Sequence, residues 1–535
     1  MTVTLRDILA VIDEPKLDGD PSVTVRGITH DSRNIEPGWV FVAMPGATTD
    51  GYTFVSDAVR AGAAAVIAER PRAEGIGNVA WVRVPAARKA LGMAAAVVNG
   101  FPTNEMTLVG ITGTNGKTTL TYLLEEIVRA SGGTPGVIGT VSYRWRGTEQ
   151  PAGNTTPEAS EIQSIFRELV AAGVTHGMIE ASSHGLHLNR LDGCQFDLGV
   201  FTNLSQDHLD YHQDLERYYQ AKRLLFQRLL PLSSKPGVSA VVNLDDPYGR
   251  RLAREIENVR VIGFGNSPAC PVRPEEVFLS SEGISTTIAT VEGPLRIRSR
   301  LTGSFNLMNI LAAVAVARSL GLASRAIQEG IEAVRVIPGR LERIPSERGS
   351  IFVDYAHTPQ ALKHVLEALR TIRTGRIITI MGCGGDRDTT KRPIMGKEAA
   401  AASDLVVVTS DNPRSEDPEA IIAQVLEGVR EHGYRSCAVQ SNGRPLDSGC
   451  YSVIADRREA IAWAIQNLRH EDILLVAGKG HESYQEIKGI RYPFDDRQVV
   501  REELRRNPAP YPESPSAAGP IQKAEDRECS RRNQQ

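Results

Sequence analysis

Cysteine is scarce in this chain. Six stand among 535 residues, widely scattered, and no two have CxxC spacing. That argues against a disulfide scaffold and against a cysteine zinc centre, so reduced thiols are expected. An excess of either charge is also missing. Lys plus Arg number 61 and Asp plus Glu 64, a formal net charge of −3. Nucleic-acid binding through bulk positive charge is thereby excluded, and no nucleic-acid partner is expected. Long apolar runs are absent too. A bilayer span needs ~18 residues, and ILAAVAVA from Ile310 falls far short. The opening residues, MTVTLRDILAVIDEP, carry no basic segment ahead of their apolar stretch. No signal peptide and no membrane partner are expected, and the location expected is cytoplasmic. No repeat recurs at the ~20–50 residue spacing of solenoids.

What the chain does have is alternation. Short β-branched runs recur between helical patterns: TLVGIT at 107–112, GVFTNL at 199–204, AVVNL at 240–244, RIITIMG at 376–382, LVVVTSD at 405–411 and ILLVAG at 473–478. Such runs predict an α/β fold of parallel sheets with helices on both faces. Ligands of such sheets sit at the carboxyl ends of the strands. The length suggests three or four domains at ~100–200 residues each. FPTNEM at 101–106 and VIPGRLERI at 336–344 are the candidate junctions, giving 1–102, 103–338 and 339–506. Residues 507–535 are Pro-rich, and Ile521 is their only Leu, Val, Ile or Phe. A stretch this poor in apolar side chains predicts a disordered tail, dispensable for activity.

The strongest local signal is GITGTNGKTTL at 110–120, a strand, a Gly-rich turn and a helix start. Backbone N–H groups of such a turn cradle phosphates, Lys117 adds a point charge, and the Thr118 hydroxyl suits Mg²⁺. The strict pattern wants glycine where Ile111 stands, so the loop is a variant. A ligand-free strand–helix turn is the plainer alternative. Downstream, EASSHGL from Glu180 and NLSQDHLDYH from Asn203 both follow apolar runs. Glu180 and His208 are candidate metal ligands, with Asp207 and Asp210 beside them; a second acid near a phosphate loop commonly completes a Mg²⁺ shell. His208 and His212 could equally cap their own turn, and His184 and His187 read as structural. Lys222, in the helical RYYQAKRLLF, reads by spacing alone as a snorkelling surface lysine.

GTNGKTT, NTTP, EASSHGL, NLSQDHLDYH, the AK of QAKRLLF, GSFNLMN, PGR, DYAHTP, GGDRD and DNPR follow one another in a familiar order. The chain resembles the Mur ligases, in their diaminopimelate-adding branch, over about residues 20–500. The resemblance implies an N-terminal UDP-binding α/β domain, a central P-loop ATPase-type parallel sheet and a C-terminal Rossmann-like domain. It implies that ATP phosphorylates the D-glutamyl γ-carboxylate of UDP-MurNAc-L-Ala-D-Glu. The amine of meso-diaminopimelate then displaces the phosphate, in a cytoplasmic step of peptidoglycan precursor synthesis. It implies Mg²⁺, a CO2-derived carbamate on Lys222, small-molecule partners only, and a monomer.

The same resemblance implies residue roles. Gly113, Thr114, Asn115, Gly116, Lys117, Thr118, Thr119, Asn306, Asn309, Arg340, Asp354 and His357 match ATP positions. Asp354 and His357 also end a strand, where a simple turn is the plainer reading. Thr118 and Glu180 match one metal site and His208 a second, and carbamylated Lys222 would put an anion beside a divalent metal. Lys117, His208 and Lys222 carry the catalytic role. Ser32 of THDSR, with Ala47, Thr48 and Thr49 after MPG, matches the uridine-diphosphate region. Asn154, Thr155, Thr156, Ser182, Leu188 and Arg190 match the sugar–peptide positions, Leu188 standing where many relatives carry Gln. Arg387, Asp411, Asn412, Pro413, Arg414, Gly478 and Glu482 match the diaminopimelate pocket. Arg414 offers a bidentate donor fork for the carboxylate that lysine lacks, although DNPR alone would also make an Asx-Pro turn. The alternatives are a lysine-adding Mur ligase, a folylpolyglutamate-synthase-like ligase and a non-catalytic nucleotide-binding homologue. Intact Lys117, Thr118, Glu180, His208 and Lys222 weigh against the last.

Overall fold

The computed structural model describes residues 2–46, 49–280, 282–437 and 448–507. Apart from Asn507, the expected tail lies outside the described residues, as do Ala47 and Thr48.

Three mainly parallel sheets organise the chain. The first has five strands in the order Lys16–Asp18, Ala80–Arg83, Ala65–Ala68, Trp39–Ala43, Gly27–Thr29; only the first of these is antiparallel to its neighbour. Its strands are apolar on both faces because helices such as Ala87–Val98 cover them. A 3₁₀ turn at Pro102–Glu105 then leads into Thr107–Thr112. That strand lies inside an eight-stranded sheet, between His176–Glu180 and Leu198–Phe201, both parallel to it. Ser239–Asn243 and Arg260–Phe264 extend one side, and Pro135–Ile138 with an antiparallel hairpin, Ser142–Trp145 and Thr148–Pro151, the other. Separate apolar clusters fill its two faces. One packs under Lys117–Ala130 and Ser304–Ser319, the other around Ala159–Ala171 and Leu215–Leu224.

The third sheet runs Glu342–Ile344, Ser350–Asp354, Ile473–Ala477, Ile377–Met381, Leu405–Val408, Cys450–Val453, Arg435–Ser436, parallel except for its first strand. All six apolar runs singled out in the sequence fall on strands of the second and third sheets. The helical run 306–334 is two helices, Ser304–Ser319 and Ser324–Ala333. A three-stranded antiparallel sheet, Arg273–Ser280, Gly283–Ala289 and Leu295–Ser299, was not anticipated. Of its two outer strands, Arg273–Ser280 is largely exposed and Leu295–Ser299 alternates Arg with apolar residues, so both read weakly beside the buried parallel strands.

The expectation of wholly reduced cysteines is corrected. Cys437 and Cys450 form a disulfide, with Cα atoms 5.8 Å apart and a sequence separation of 13. Parallel pairing of Arg435–Ser436 with Cys450–Tyr451 brings the two thiols together, a proximity that linear spacing does not reveal. Cys194, Cys270 and Cys383 are free and buried.

The third sheet also holds a buried ion pair. Arg457 and Asp496 are both inaccessible, bonded at 2.8 and 2.7 Å, and Arg457 also donates to Ala477 O at 2.9 Å. Removing one partner strands a charge in an apolar surround, at about 3–5 kcal/mol. Arg457→Met is therefore expected to lower the thermal midpoint sharply, whereas Arg457→Met with Asp496→Leu recovers most of the loss. Equal midpoints for the single and double variants in calorimetry would contradict this.

Candidate active site

Thr107–Thr112 is buried almost throughout and delivers the turn 113–116 to the top of the central sheet. Helix Lys117–Ala130 starts there, its apolar stripe of Leu120, Leu123, Leu124 and Ile127 pinned to the core. Its first N–H groups therefore point out of the sheet's carboxyl end, where an anion would meet them. Gly116 has φ +91°, and a Cβ there would stand 2.4 Å from Asn309 Oδ1, so no other residue fits. Lys117 Nζ donates to Gly113 O and Thr114 O, both at 2.9 Å. Burial lowers its pKa. Asn203 clamps the loop: Asn115 N donates to its Oδ1 at 3.0 Å, its Nδ2 donates to Asn115 O at 3.1 Å, and Thr114 N donates to its O at 2.8 Å. Asn203 was not among the sequence candidates; its place just after a buried strand is the signal that marks it.

Glu180 ends the neighbouring parallel strand and is 1% exposed. Its carboxylate accepts from Thr118 Oγ1 at 3.2 Å, Thr140 N at 3.0 Å and Thr140 Oγ1 at 2.8 Å. Arg340 reaches across from the PGR segment, its Nη2 3.4 Å from Thr118 Oγ1 and its guanidinium 4.7 Å from the Tyr355 ring centre. These groups line a cavity of about 620 Å³ between the second and third sheets, within the range of small-molecule sites. Thr114 to Thr119, Glu180, His208, Asn309, Arg340, Asp354 and His357 all face it. Phe264, Phe305, Leu307 and Met308, which the sequence did not single out, supply an apolar wall. Asn306 is not among the lining residues; it is buried, donating to Thr302 O and accepting from Asn309 Nδ2. Asp354 shows the turn role as well: its two oxygens accept Leu341 N at 2.6 Å and Ala356 N at 2.7 Å.

Lys222 does not snorkel. It is 1% exposed, and its Nζ donates to Gly113 O at 2.9 Å and lies 4.4 Å from the Tyr218 ring centre. Burial, with the Lys117 ammonium nearby, depresses its pKa well below that of a free lysine. A π-helical turn at Leu225–Leu229 follows directly. His208 sits at φ +54° ahead of the short helix Leu209–His212 and makes no side-chain cap bond, so capping does not explain it. Its Nε2 lies 3.5 Å from Asp207 Oδ2. His212 is buried against Ser183 Oγ at 3.0 Å and is structural, and His187 pairs with Tyr211 OH at 2.8 Å.

The sugar–peptide candidates adjoin Glu180. Thr155 Oγ1 is 3.1 Å from Thr140 Oγ1, and Thr156 Oγ1 donates to Glu180 O at 2.7 Å. Ser182 Oγ caps helix Ser183–His187, and Asn154 O accepts from Tyr143 OH at 2.9 Å. Arg190 donates to Thr156 O at 2.9 Å and pairs with Glu158 at 2.7 Å. Leu188 is half-buried at the end of the same helix. The first sheet meets this region through Arg88 and Glu158, 3.7 Å apart. Ser32 starts a 3₁₀ turn two residues beyond His30, whose pKa burial lowers while Glu158 raises it. Thr49 follows the undescribed pair.

The amino-acid candidates lie outside the cavity, at the carboxyl ends of Leu405–Val408 and Ile473–Ala477 and beside the loop after Ile377–Met381. Arg414 has φ +52°, with its N donating to Glu486 O at 3.0 Å and its Nη1 to Gly385 O at 2.5 Å. Asp411, Asn412 and Pro413 are buried and Arg387 is exposed. Gly478, at φ +117°, lets Asp411 Oδ2 approach within 2.6 Å of where a Cβ would be. Glu482 Oε2 accepts from Asn412 Nδ2 at 2.8 Å.

Three family models match in chain order: the Mur ligase family catalytic domain at 24–99, the Mur ligase middle domain at 111–317 and the Mur ligase glutamate ligase domain at 339–480. The chain is a Mur ligase. A UDP-N-acetylmuramoyl-L-alanyl-D-glutamate–2,6-diaminopimelate ligase of Geobacter metallireducens is 46% identical over 94% of this chain and 98% of its own. That of Geobacter sulfurreducens is 44% identical over 92% and 97%. A solved structure of an enzyme so named, 32% identical, superposes with a TM-score of 0.67 over 95% of this chain and 99% of that one. The Mur ligase architecture of three α/β domains is therefore the fold of this chain, and ATP-dependent amide-bond formation is its activity. Among the described residues no helix of this Mur ligase is long and apolar enough to cross a membrane.

Proposed function

We propose that this Mur ligase joins meso-diaminopimelate to the D-glutamyl γ-carboxylate of UDP-MurNAc-L-Ala-D-Glu, in the cytoplasm and as a monomer. The supporting observation is the arrangement at two strand ends. A phosphate loop faces Arg340 across one cavity, and a separate cluster presents Arg414 beside Asn412 and Glu482. In this reading 1–102 binds the uridine end through Ser32 and Thr49, 103–338 binds ATP, and 339–506 brings the amino acid.

The loop amides and Lys117 hold the triphosphate while a carboxylate oxygen takes the γ-phosphoryl group and ADP leaves. The free amine of diaminopimelate then attacks the acyl carbon, the C–O bond to phosphate breaks, and the nitrogen loses a proton. Both steps build charge on phosphoryl or acyl oxygens, so fixed cations and N–H groups do most of the work. Thr118 and Glu180 present hard oxygen donors, one of them a buried carboxylate, which suits Mg²⁺. The ion would neutralise phosphate charge there, and His208 would hold a second. The depressed pKa of Lys222 favours the free amine that CO2 requires, which supports the carbamate assignment.

Arg414 tests the substrate. A charge-assisted bidentate bond contributes roughly 1.5–3 kcal/mol, and each ~1.4 kcal/mol is tenfold. Arg414→Ala is expected to lose on the order of ten- to several-hundred-fold in kcat/KM for diaminopimelate, while its poor use of lysine and its KM for ATP barely change. Equal losses with both amino acids would make Arg414 a structural residue of the turn. A parent enzyme that prefers lysine would overturn the choice of substrate but leave the ligase chemistry standing.

A further inference from the structure

Between the two strand ends that carry Asn412 and Glu482 lies a cation with no role so far. Lys479 follows Gly478 and is 0% exposed. A buried ammonium needs a full set of acceptors and a counter-charge. Lys479 finds two acceptors, one of them a carboxylate, in the residues already placed in the amino-acid pocket: its Nζ donates to Asn412 Oδ1 at 3.0 Å and to Glu482 Oε2 at 3.1 Å. Those two partners are themselves joined at 2.8 Å, closing a triangle of one cation, one amide and one carboxylate. Asn412 Oδ1 accepts a further bond from Glu486 N at 2.9 Å, and Gln485 Nε2 donates to Asp411 O at 2.7 Å. The Tyr484 ring centre lies 5.7 Å from the ammonium.

We propose that Lys479 is a positioning residue for the amino acid. Its ammonium fixes the amide orientation of Asn412 and holds Glu482 as an ionised acceptor for the substrate's ammonium group. With its oxygen committed to Lys479, Asn412 presents its Nδ2 donors to Glu482 and the pocket, so the amide has one orientation rather than two. Burial pushes the Glu482 carboxyl up, Lys479 pulls it down, and Asp411 pushes it up again. Tyr355, Tyr484 and Arg457 are further titratable groups that sense this carboxylate. Among them all, Lys479 is the cation that touches it. The inference rests on reading Asn412 and Glu482 as amino-acid-binding groups.

The test is steady-state kinetics on Lys479→Met, Glu482→Gln and the double variant, with each of the three substrates varied in turn. Lys479→Met is expected to raise KM for diaminopimelate roughly tenfold or more, with KM for ATP and for the nucleotide-dipeptide within about twofold. Because Lys479 acts through Asn412 and Glu482, which are joined to each other, the double variant is expected to be little worse than Glu482→Gln alone. Multiplied defects in the double variant, an unchanged KM for diaminopimelate, or an equal rise in all three KM values would each overturn the proposal. Should Lys479→Met fail to fold, the double variant, which removes both buried charges, decides by the same comparison with Glu482→Gln. A parent enzyme that uses lysine and not diaminopimelate would overturn the substrate reading alone. The same three variants would then be compared with lysine.

Discussion

Lys117→Ala is expected to release phosphate from ATP at less than about a tenth of the parent rate while its melting temperature stays within a few degrees. Phosphoryl transfer asks the protein for position and charge rather than covalent chemistry. The Lys117 ammonium spans the loop itself, through the carbonyls of Gly113 and Thr114, whereas Lys222 reaches Gly113 O from beneath. A bound triphosphate would offer stronger acceptors than those neutral carbonyls. Alanine cannot replace the charge, and Arg340, near Thr118, approaches from the other side of the cavity. The helix survives the change, since its hold on the core comes from Leu120, Leu123, Leu124 and Ile127 and alanine is the best helix former. Phosphate release above a tenth of the parent rate, in a variant that still melts cooperatively, would remove Lys117 from the phosphate site.

Lys222→Ala is expected to be nearly inactive, and partly restored by a small carboxylate added to the assay. The unmodified side chain is buried, loses charge readily and lies beside Lys117. Burying a second ammonium next to the first has no structural merit, because like charges in a poorly solvated site repel. Conversion to a carbamate would replace that repulsion with attraction and would place an anion beside the proposed Mg²⁺ ligands. Alanine leaves a space where a small carboxylate can stand in. Activity like that of the parent would take Lys222 out of the site. Inactivity without rescue, together with a lost cooperative melt, would reduce it to a packing residue.

Much of the fold was legible in the chain because parallel strands covered on both faces must be apolar end to end. Thr107–Thr112, Leu405–Val408 and Ile473–Ala477 show this and were found. The sheet Arg273–Ser299 was missed for the opposite reason, since its two outer strands turn Arg and Glu to water. The phosphate loop was legible from glycine, lysine and threonine at fixed offsets. Lys222 was not: a helix pattern says which residues share a face but not what covers that face. Only the approach of Gly113 O to its amine separates it from a surface lysine.

By itself, then, the amino-acid order determined the buried parallel strands, the loop that can cradle phosphate, and the family, because each of these is a local pattern or a sum of local patterns. The tertiary structure alone decided four things. It set Arg340 against Thr118 across 222 residues, and it buried Lys222 under the loop. It joined Cys437 to Cys450, and it closed the triangle of Lys479, Asn412 and Glu482. Each of these depends on which strand lies beside which, and strand order is set by packing helices on both faces of a sheet, which no window of sequence contains.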